Sequence, residues 1–326
     1  MRLGLYAARR SSFILAGPMA RAALKQGHEV VFLRDPAGAK LGDDWQDAEI
    51  LRPFPDAMSV PLAQFAGDWL AGPPPDQNLQ PNDLDRLRQD GVKLCSLDPW
   101  FDSLARPFAD AYDVTHRTIR HGLIPTDGLA DVVPGIGADL LWFPPKTRVP
   151  GAGQRAVRWA VTVVLARALR RVASRGSLRL VVKRRPKIRL PRAVERLADV
   201  VLEDDTLYPH ASLTALGTAA LSVCHQSGAA MESVAAGIRC LSVQIPHRHL
   251  RDYPHWPLMA GRERSPYAWP GVIDAMPLLP ALRWLARWTP AVMPRWGERA
   301  AYIDTWLGGR VLGTSGWVVE QMERRG

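Results

Sequence analysis

A strand, turn, helix and strand pattern over residues 219–243 constrains this chain more than any other feature. Residues 219–224 (Ala-Ala-Leu-Ser-Val-Cys) are short and apolar enough to form a buried strand, and residues 238–243 (Ile-Arg-Cys-Leu-Ser-Val) predict the next one. Between them, residues 227–237 supply a Ser-Gly turn and a short helix that ends in Ala-Ala-Gly. This order is the βαβ unit from which parallel sheets are built. The chain is therefore predicted to have an α/β fold.

The start of this short helix has the features of an anion-binding site. Ser227 is a residue type that caps helices, and Gly228 keeps side-chain bulk away from whatever approaches the helix start. Backbone N–H groups and the helix dipole favour a phosphate there. Glu232 lies four residues after Gly228 and shares its helix face, where the carboxylate can accept hydrogen bonds from sugar hydroxyls. An ordinary βαβ turn with a surface glutamate explains the same residues equally well.

Length and composition indicate a globular protein of two domains. The 326 residues exceed the size at which a single hydrophobic core usually stops growing. Lys and Arg outnumber Asp and Glu by 42 to 32, and the net charge is +10. This excess suits phosphorylated substrates, nucleic acid or an anionic membrane surface. Because no aromatic and glycine repeat of the RNA-binding kind accompanies the charge, nucleic acid is the least favoured partner.

The cysteines and the apolar stretches indicate in which cellular compartment the protein is expected. Cys95, Cys224 and Cys240 are widely spaced and include no Cys-x-x-Cys pair. They predict small core residues in a reducing compartment, and neither a disulfide framework nor a zinc site. The first residues lack a long apolar region with a cleavage site, so no signal peptide is expected. The longest apolar stretch, residues 159–169, is too short to span a bilayer. We expect a cytoplasmic protein, with peripheral attachment at the inner membrane face as an added option.

The amino-terminal half predicts another α/β unit that starts at the first residues. Residues 2–7 have the pattern of a strand, a helix follows to about Gln26 with Gly27 as its stop, and residues 29–33 form the next strand. The loop at residues 8–12 lacks the glycines that would let it cradle a phosphate. A basic, solvated loop is therefore expected at that point.

The second half opens with a domain boundary and then a basic cluster. Pro150-Gly-Ala-Gly153 has the composition of a flexible linker, so the domain boundary is expected there. An amphipathic helix over residues 154–174 and a buried strand over residues 177–182 are predicted after it. That strand ends in Lys183-Arg-Arg-Pro-Lys187. Because ligands collect at the carboxyl ends of parallel strands, these cations are placed to meet phosphates. A solvated run of charge is an equally good interpretation.

Histidines that could take part in chemistry lie in two parts of the sequence. His121 is followed directly by Gly122, which lets the backbone turn sharply and present the imidazole. Neutral histidine is well suited to accept a proton near neutral pH, so His121 is a candidate base. A hydrogen-bonded loop histidine is the commoner explanation. His247, His249 and His255 lack acidic residues at matched spacing, so no metal site is predicted there.

Residues 177–243 resemble the carboxyl-terminal domain of GT-B glycosyltransferases that build bacterial surface polysaccharides. The motifs that carry the resemblance are, in order, Lys183-Arg-Arg-Pro186, Glu203-Asp-Asp205, His225-Gln-Ser-Gly228, Glu232 and Ala235-Ala-Gly237. The pattern is similar to capsule and CDP-glycerol-type transferases, with UDP-N-acetylglucosamine 2-epimerases as structural relatives. The His121-Gly122 pair looks like the His-Gly of those transferases, and residues 21–33 resemble the start of many GT-B enzymes.

The resemblance implies an architecture of two Rossmann-like domains that face a cleft, with a C-terminal helix crossing back. Residues 1–150 would form an acceptor domain, and residues 151–276 would form the domain that binds the donor nucleotide. Residues 277–326 would be a helical segment that packs back on the first domain. Trp284 and Trp288 lie on one predicted helix face in this segment, which alternatively rests on anionic lipid.

The resemblance also implies roles for individual residues. The donor-binding set would be Lys183, Arg184, His225, Ser227, Gly228 and Glu232. The cationic residues would hold the diphosphate, the serine and glycine would receive it at the helix start, and the glutamate would bind the ribose hydroxyls. His121 would deprotonate the acceptor hydroxyl. Helix N–H groups and cations stabilise a departing phosphate without a metal, so no metal or cofactor is expected beside the nucleotide-sugar substrate.

The leading interpretation is a glycosyltransferase that moves a sugar or polyol phosphate from a nucleotide-activated donor to a surface-glycan or lipid-linked acceptor. An enzyme similar to UDP-sugar 2-epimerases is the alternative within enzymes. A non-catalytic GT-B-like protein that binds glycan or a partner enzyme is the alternative from another class.

Overall fold

The chain folds into two compact units, each built on one parallel β-sheet. The first unit contains Met1–Asp131, Leu207–Pro209 and Arg310–Gly326, and the second contains Val132–Thr206 and His210–Gly309. The computed structural model describes residues 1–6, 13–34, 50–72, 79–97, 124–132, 137–145, 152–184, 189–203, 208–225, 227–244, 268–290, 296–307 and 309–325.

The sheet of the first unit has five strands in the order β3-β2-β1-β4-β5, and every neighbouring pair is parallel. This is the strand order of a Rossmann-type sheet. The strands are β1 (Arg2–Tyr6), β2 (Glu29–Arg34), β3 (Met58–Pro61), β4 (Trp69–Gly72) and β5 (Lys93–Ser96).

The sheet of the second unit has six parallel strands in the order β11-β10-β9-β6-β7-β8. The strands are β6 (Asp139–Trp142), β7 (Arg179–Lys183), β8 (Val200–Leu202), β9 (Ala219–Cys224), β10 (Cys240–Gln244) and β11 (Ile273–Pro277). The chain runs outward from β6 to β8 and then returns to the other side of β6. The order therefore reverses between β6 and β9, which is the switch point of a doubly wound sheet. The predicted α/β class is confirmed in both units.

Helices connect these strands and cover the sheets. The described α-helices are α1 (Phe13–Lys25), α2 (Pro81–Gln89), α3 (Ala152–Arg175), α4 (Arg192–Glu195), α5 (Ala211–Leu216), α6 (Ala229–Ala235), α7 (Leu278–Arg287), α8 (Trp296–Trp306) and α9 (Thr314–Arg324). Two 3-10 helices, Leu62–Gln64 and Ile124–Asp131, belong to the first unit. Among the described residues, no helix is long and apolar enough to cross a membrane.

The core of the first unit is completed by the last helix of the chain. Its buried side chains include Leu3 of β1 and Phe32 of β2, and Val318 and Met322 of α9 join the same cluster. The chain thus returns to the first unit at its C-terminus, as the resemblance implied. Burial of these apolar side chains is the main force that holds α9 against α1.

A buried carboxylate fixes the start of α9. Asp127, which is 7% exposed, accepts a hydrogen bond from the Thr314 backbone N–H at 3.1 Å. Its second carboxylate oxygen accepts hydrogen bonds from both the backbone N–H and the hydroxyl of Ser315. An anion at this end of a helix satisfies unpaired N–H groups and interacts favourably with the helix dipole.

The domain boundaries of the structure differ from those expected from sequence. β6 pairs with β7 and β9, so the second unit begins at residue 132, and the expected boundary at residue 150 falls inside it. Residues 277–326 are divided, because the chain belongs to the second unit as far as Gly309. β6 escaped prediction because its four residues lie between turn-forming residues, and its burial comes from pairing on both sides.

Helix α7 packs within the second unit. The Arg175 guanidinium at the end of α3 donates hydrogen bonds to the carbonyl oxygens of Leu285 and Trp288 at 3.0 Å. Trp288 is only 3% exposed and belongs to the same core cluster as α3. Helix α7 is therefore part of the core of the second unit, and of the segment expected to pack back on the first domain only residues 310–326 belong to the first unit.

The cysteines are core residues of the two units. All three are free and buried. Burial raises the pKa of the Cys95 thiol to about 12, which keeps this side chain protonated and unreactive near neutral pH.

Candidate functional site

The carboxyl edge of the second sheet gathers most of the predicted donor-binding residues. Lys183 ends β7, Arg184 follows it, and the Ser227–Gly228 bend follows β9. Because the strands are parallel, their carboxyl ends lie on one edge of the sheet. β6 lies between β7 and β9, so Lys183 and the bend are separated by two strand spacings, roughly 10 Å.

His225 lies at the switch point and bridges three strands. The Trp142 indole N–H, at the end of β6, donates to Nε2 of His225 at 3.2 Å. The other ring nitrogen, Nδ1, lies 3.0 Å from the carbonyl oxygen of Val243 in β10. Because an indole N–H can only donate, Nε2 must accept and Nδ1 must carry the proton. The imidazole is therefore held as one neutral tautomer.

The contacts of His225 change its predicted role. Both ring nitrogens are engaged by protein atoms, so neither is left to bind a donor directly. His225 is two residues before Ser227, and its bridge fixes the point at which the chain leaves β9. We therefore assign it to positioning the bend.

The bend itself has the geometry of a helix start. The Ser227 hydroxyl oxygen accepts a hydrogen bond from the Ala229 N–H at 3.2 Å, and the Ser227 carbonyl oxygen accepts one from the Ala230 N–H at 2.9 Å. Gly228 has helical dihedral angles (φ −51°, ψ −25°). Both Ser227 and Gly228 are partly exposed, so solvent and solutes reach the bend. Ser227 was expected at the N-cap, but Gly228 occupies that position of α6 and Ser227 lies one residue earlier.

Hydrogen bonds from β9 and from α8 hold the carboxyl half of helix α6. The hydroxyls of Ser222 in β9 and Ser233 in α6 are hydrogen-bonded at 2.8 Å, and both residues are fully buried. At the carboxyl end, the Arg299 guanidinium donates to the carbonyl oxygens of Val234 and Ala235, each at 2.8 Å. The Val234 carbonyl also accepts a hydrogen bond from the Gly237 N–H at 3.0 Å, so Arg299 adds a second donor at this helix end and ties α6 to α8.

Two cationic side chains, Lys183 and Arg184, lie at the carboxyl edge of the second sheet, and each is bound by a different partner. Lys183 is only 4% exposed, and its ammonium group donates to the carbonyl oxygen of Arg184 at 3.2 Å. The Arg184 guanidinium forms an ion pair with the Glu203 carboxylate, at the end of β8. Arg184 is one-third exposed, so a diphosphate that approaches it meets a cation already oriented by Glu203.

Of the remaining predicted residues, the structure describes Glu232 but not the histidine candidates. Glu232 is partly exposed, one helical turn after Gly228 on α6. His121, His247, His249, His255 and residues 185–188 lie outside the described residues, so their roles stay predictions. In the part of the chain that the structure describes, no group of three or more His, Cys, Asp or Glu side chains is placed to hold a metal ion.

Trp142 and Arg299 support the candidate site, and neither was predicted from sequence. Trp142 ends a strand that was not predicted, and Arg299 lies 65 residues after its hydrogen-bond partner Val234. The one available signal was the run Leu140-Leu-Trp142 before two prolines, which has the length and apolar character of a buried strand.

Solved structures are similar in fold to this chain over nearly its whole length. Arabidopsis thaliana UGT89C1 in complex with UDP-L-rhamnose is 13% identical with a TM-score of 0.55, covering 99% of this chain and 97% of that chain. The UDP-GlcNAc 2-epimerase of Neisseria meningitidis bound to UDP-GlcNAc is 8% identical with a TM-score of 0.53, covering 100% of both chains. A further UDP-N-acetylglucosamine 2-epimerase has a TM-score of 0.57 at 10% identity, covering 98% of this chain and 94% of that chain.

The chain has the GT-B fold. At these identities the likeness establishes the fold and leaves the activity open. No protein-family model matches the sequence, and no curated protein matches it.

Proposed function

We propose that this GT-B protein is a glycosyltransferase that binds a nucleotide-activated donor at the carboxyl edge of its second sheet. The observation that carries the proposal is the placement of a buried lysine, Lys183, and a helix-start bend, Ser227–Gly228, on either side of β6 at the switch point. Open α/β sheets bind ligands at this position. Proteins of the same fold were solved with UDP-L-rhamnose and UDP-GlcNAc.

The proposed reaction needs stabilisation of the negative charge on the departing nucleoside diphosphate and a base that accepts the proton of the acceptor hydroxyl. The acceptor oxygen forms a bond to the anomeric carbon of the sugar while the bond from that carbon to the diphosphate oxygen breaks. The departing nucleoside diphosphate takes the bonding electrons, and Lys183, Arg184 and the N–H groups of the bend stabilise its charge. In this proposal His121 accepts the proton of the acceptor hydroxyl. No step uses a metal ion.

The acceptor side of the proposal rests on the sequence resemblance. Capsule and CDP-glycerol-type transferases assemble bacterial surface glycans, so we propose a surface-glycan or lipid-linked acceptor. A polyol phosphate is included among the transferred groups for the same reason. The net charge of +10 supports an anionic donor and acceptor.

Epimerisation of a UDP-sugar is the second candidate function. It is favoured by the fold likeness to two UDP-N-acetylglucosamine 2-epimerases. The two activities are separated by incubating the protein with UDP-GlcNAc in the absence of an acceptor. Inversion at carbon 2 of the sugar supports the epimerase, whereas transfer that requires an added acceptor supports the glycosyltransferase.

Glu232 is expected to contribute to nucleotide affinity. If its carboxylate accepts hydrogen bonds from the ribose hydroxyls, Glu232→Ala should weaken nucleotide binding about tenfold. Isothermal titration with UDP, CDP, CMP and GDP measures this effect and identifies the preferred base. Glu195→Ala, an exposed glutamate of α4 in the same unit, is the matched control and should bind as the wild type does. Absence of binding by every nucleotide would favour the non-catalytic alternative.

Lys183 is expected to make the larger contribution to binding of the diphosphate. Lys183→Met keeps the length of the aliphatic chain that packs at the end of β7 but removes the positive charge. A charge-assisted hydrogen bond to phosphate is lost, so the affinity for the nucleoside diphosphate should fall about 10- to 100-fold. The corresponding nucleoside, which has no phosphate, should bind both proteins equally. Equal loss for nucleoside and nucleotide would show instead that the substitution distorts the edge of the sheet.

A further inference from the structure

We propose that helices α3 and α7 of the second unit form a surface that binds anionic phospholipid. Among the described residues of this unit, every exposed large apolar side chain lies on these two helices: Val157, Trp159, Val164 and Leu279. Leu279 is 68% exposed and Trp159 is 52% exposed. Apolar exposure concentrated on one surface marks a contact with a partner or a membrane.

The two helices belong to one layer of the second unit. Leu165 and Leu169 of α3 and Ala281 and Leu285 of α7 are buried in the same core cluster. Arg175 also ties the end of α3 to backbone carbonyls at the end of α7. Since the inner faces of both helices are occupied by this core, their exposed residues belong to one outer surface, which we call the α3–α7 surface.

The α3–α7 surface carries positive charge without any negative charge of its own. α3 contains six arginines and α7 contains two, and neither helix contains an acidic residue. Arg170 is paired with Asp199, and Arg175 is bound by carbonyl oxygens. Five exposed arginines make no ion pair with any residue that the structure describes: Arg155, Arg167, Arg171, Arg283 and Arg287.

An open groove beside α7 gives this surface a place for a phosphate. It has a volume of about 360 Å³ and is lined by Met276, Pro280, Arg283, Trp284, Arg287 and Trp288. Arg283 and Arg287 are one helical turn apart, so both guanidinium groups can reach one phosphate. The tryptophan and methionine side chains beside them suit the region where lipid headgroups meet acyl chains.

The combination of features favours a lipid surface over other polyanions. Nucleic acid has phosphates for the arginines, but it has no apolar layer into which the exposed Leu279 and Val157 side chains could insert. A helix that presents both arginines and exposed apolar side chains binds by inserting the latter below anionic headgroups. The inference uses none of the residues assigned to the donor site, and it holds or fails independently of the proposed transferase activity.

Vesicle flotation of the full-length protein tests this surface. The protein should bind vesicles of phosphatidylcholine with phosphatidylglycerol more strongly than vesicles of phosphatidylcholine alone, and added salt should weaken binding. Removing two positive charges in Arg283→Gln/Arg287→Gln should lower the partition to anionic vesicles about thirtyfold. Leu279→Asn should lower it about tenfold through the lost apolar contact.

Control variants show whether the loss of vesicle binding is specific to the α3–α7 surface. Arg52→Gln/Arg324→Gln removes the same charge from exposed positions of the first unit and should leave the partition within about twofold of wild type. An equal loss in that pair, or no binding to anionic vesicles, overturns the proposal. Duplex DNA serves as a second polyanion, and equal weakening of DNA and vesicle binding by Leu279→Asn also overturns it. Urea unfolding of each variant, expected to follow the wild-type transition, shows that the protein is folded.

Discussion

Replacing Asp127 by alanine is expected to destabilise the first unit by about 3 kcal/mol and to release the C-terminal helix α9. The carboxylate accepts hydrogen bonds from the Thr314 N–H, the Ser315 N–H and the Ser315 hydroxyl, and all three residues are buried. Without it, these donors have lost their acceptor, and each buried donor left unpaired costs about 1–3 kcal/mol. The N-terminus of α9 also loses its favourable anion.

The release of α9 should be visible directly by hydrogen exchange. Backbone amides of residues 314–324 should exchange much faster in Asp127→Ala, while those of the second unit stay as protected as in the wild type. Urea unfolding of the same variant gives the loss of stability. Asp127→Asn retains one acceptor oxygen and should fall between the alanine variant and the wild type. Unchanged protection of residues 314–324 in Asp127→Ala would show that apolar packing alone holds this helix.

The elements that sequence predicted are those with a strong local signal. The helices α1 and α3 were predicted to within about two residues at each end, because their apolar residues recur at helical spacing. β1, β2, β7 and β9 were predicted because each is a run of five or six mostly apolar residues.

The elements that sequence missed depend on distant partners. β3, β4 and β6 are four residues long, and their sequences alone do not distinguish a strand from a loop. β4 becomes a buried strand because it pairs with β1 on one side and β5 on the other. Such pairing is a property of the whole sheet, which a local pattern does not contain.

The same distinction applies to the candidate site. Ser227, Gly228 and Glu232 could be placed on one helix start because their spacing within the chain is fixed. The position of His225 could not, because its ring is held by Trp142, 83 residues earlier in the chain. The local spacing thus fixed which residues lie at the start of one helix, and the structure was needed to show that the His225 ring is held by Trp142 and Val243.

His121→Ala is expected to lower the turnover of the proposed transferase about 10²- to 10⁴-fold and to leave nucleotide affinity unchanged. A general base acts on the acceptor proton in the transition state, and the donor nucleotide binds without it. The wild-type rate should therefore decline on the acidic side of neutrality, because protonated imidazole cannot accept the proton. The residual rate of the variant should lack that acidic limb.

The neighbouring histidine supplies the control for this assignment. His116 lies in the same stretch, His116-Arg-Thr-Ile-Arg-His121, so His116→Ala removes an imidazole of the same chemistry five residues away. It should retain both the rate and the acidic limb of the wild type. If His121→Ala keeps the wild-type rate and pH profile, His121 is not the base. If both variants lose activity together with nucleotide affinity, the stretch has a structural role, because a proton acceptor for the acceptor hydroxyl would not alter donor binding.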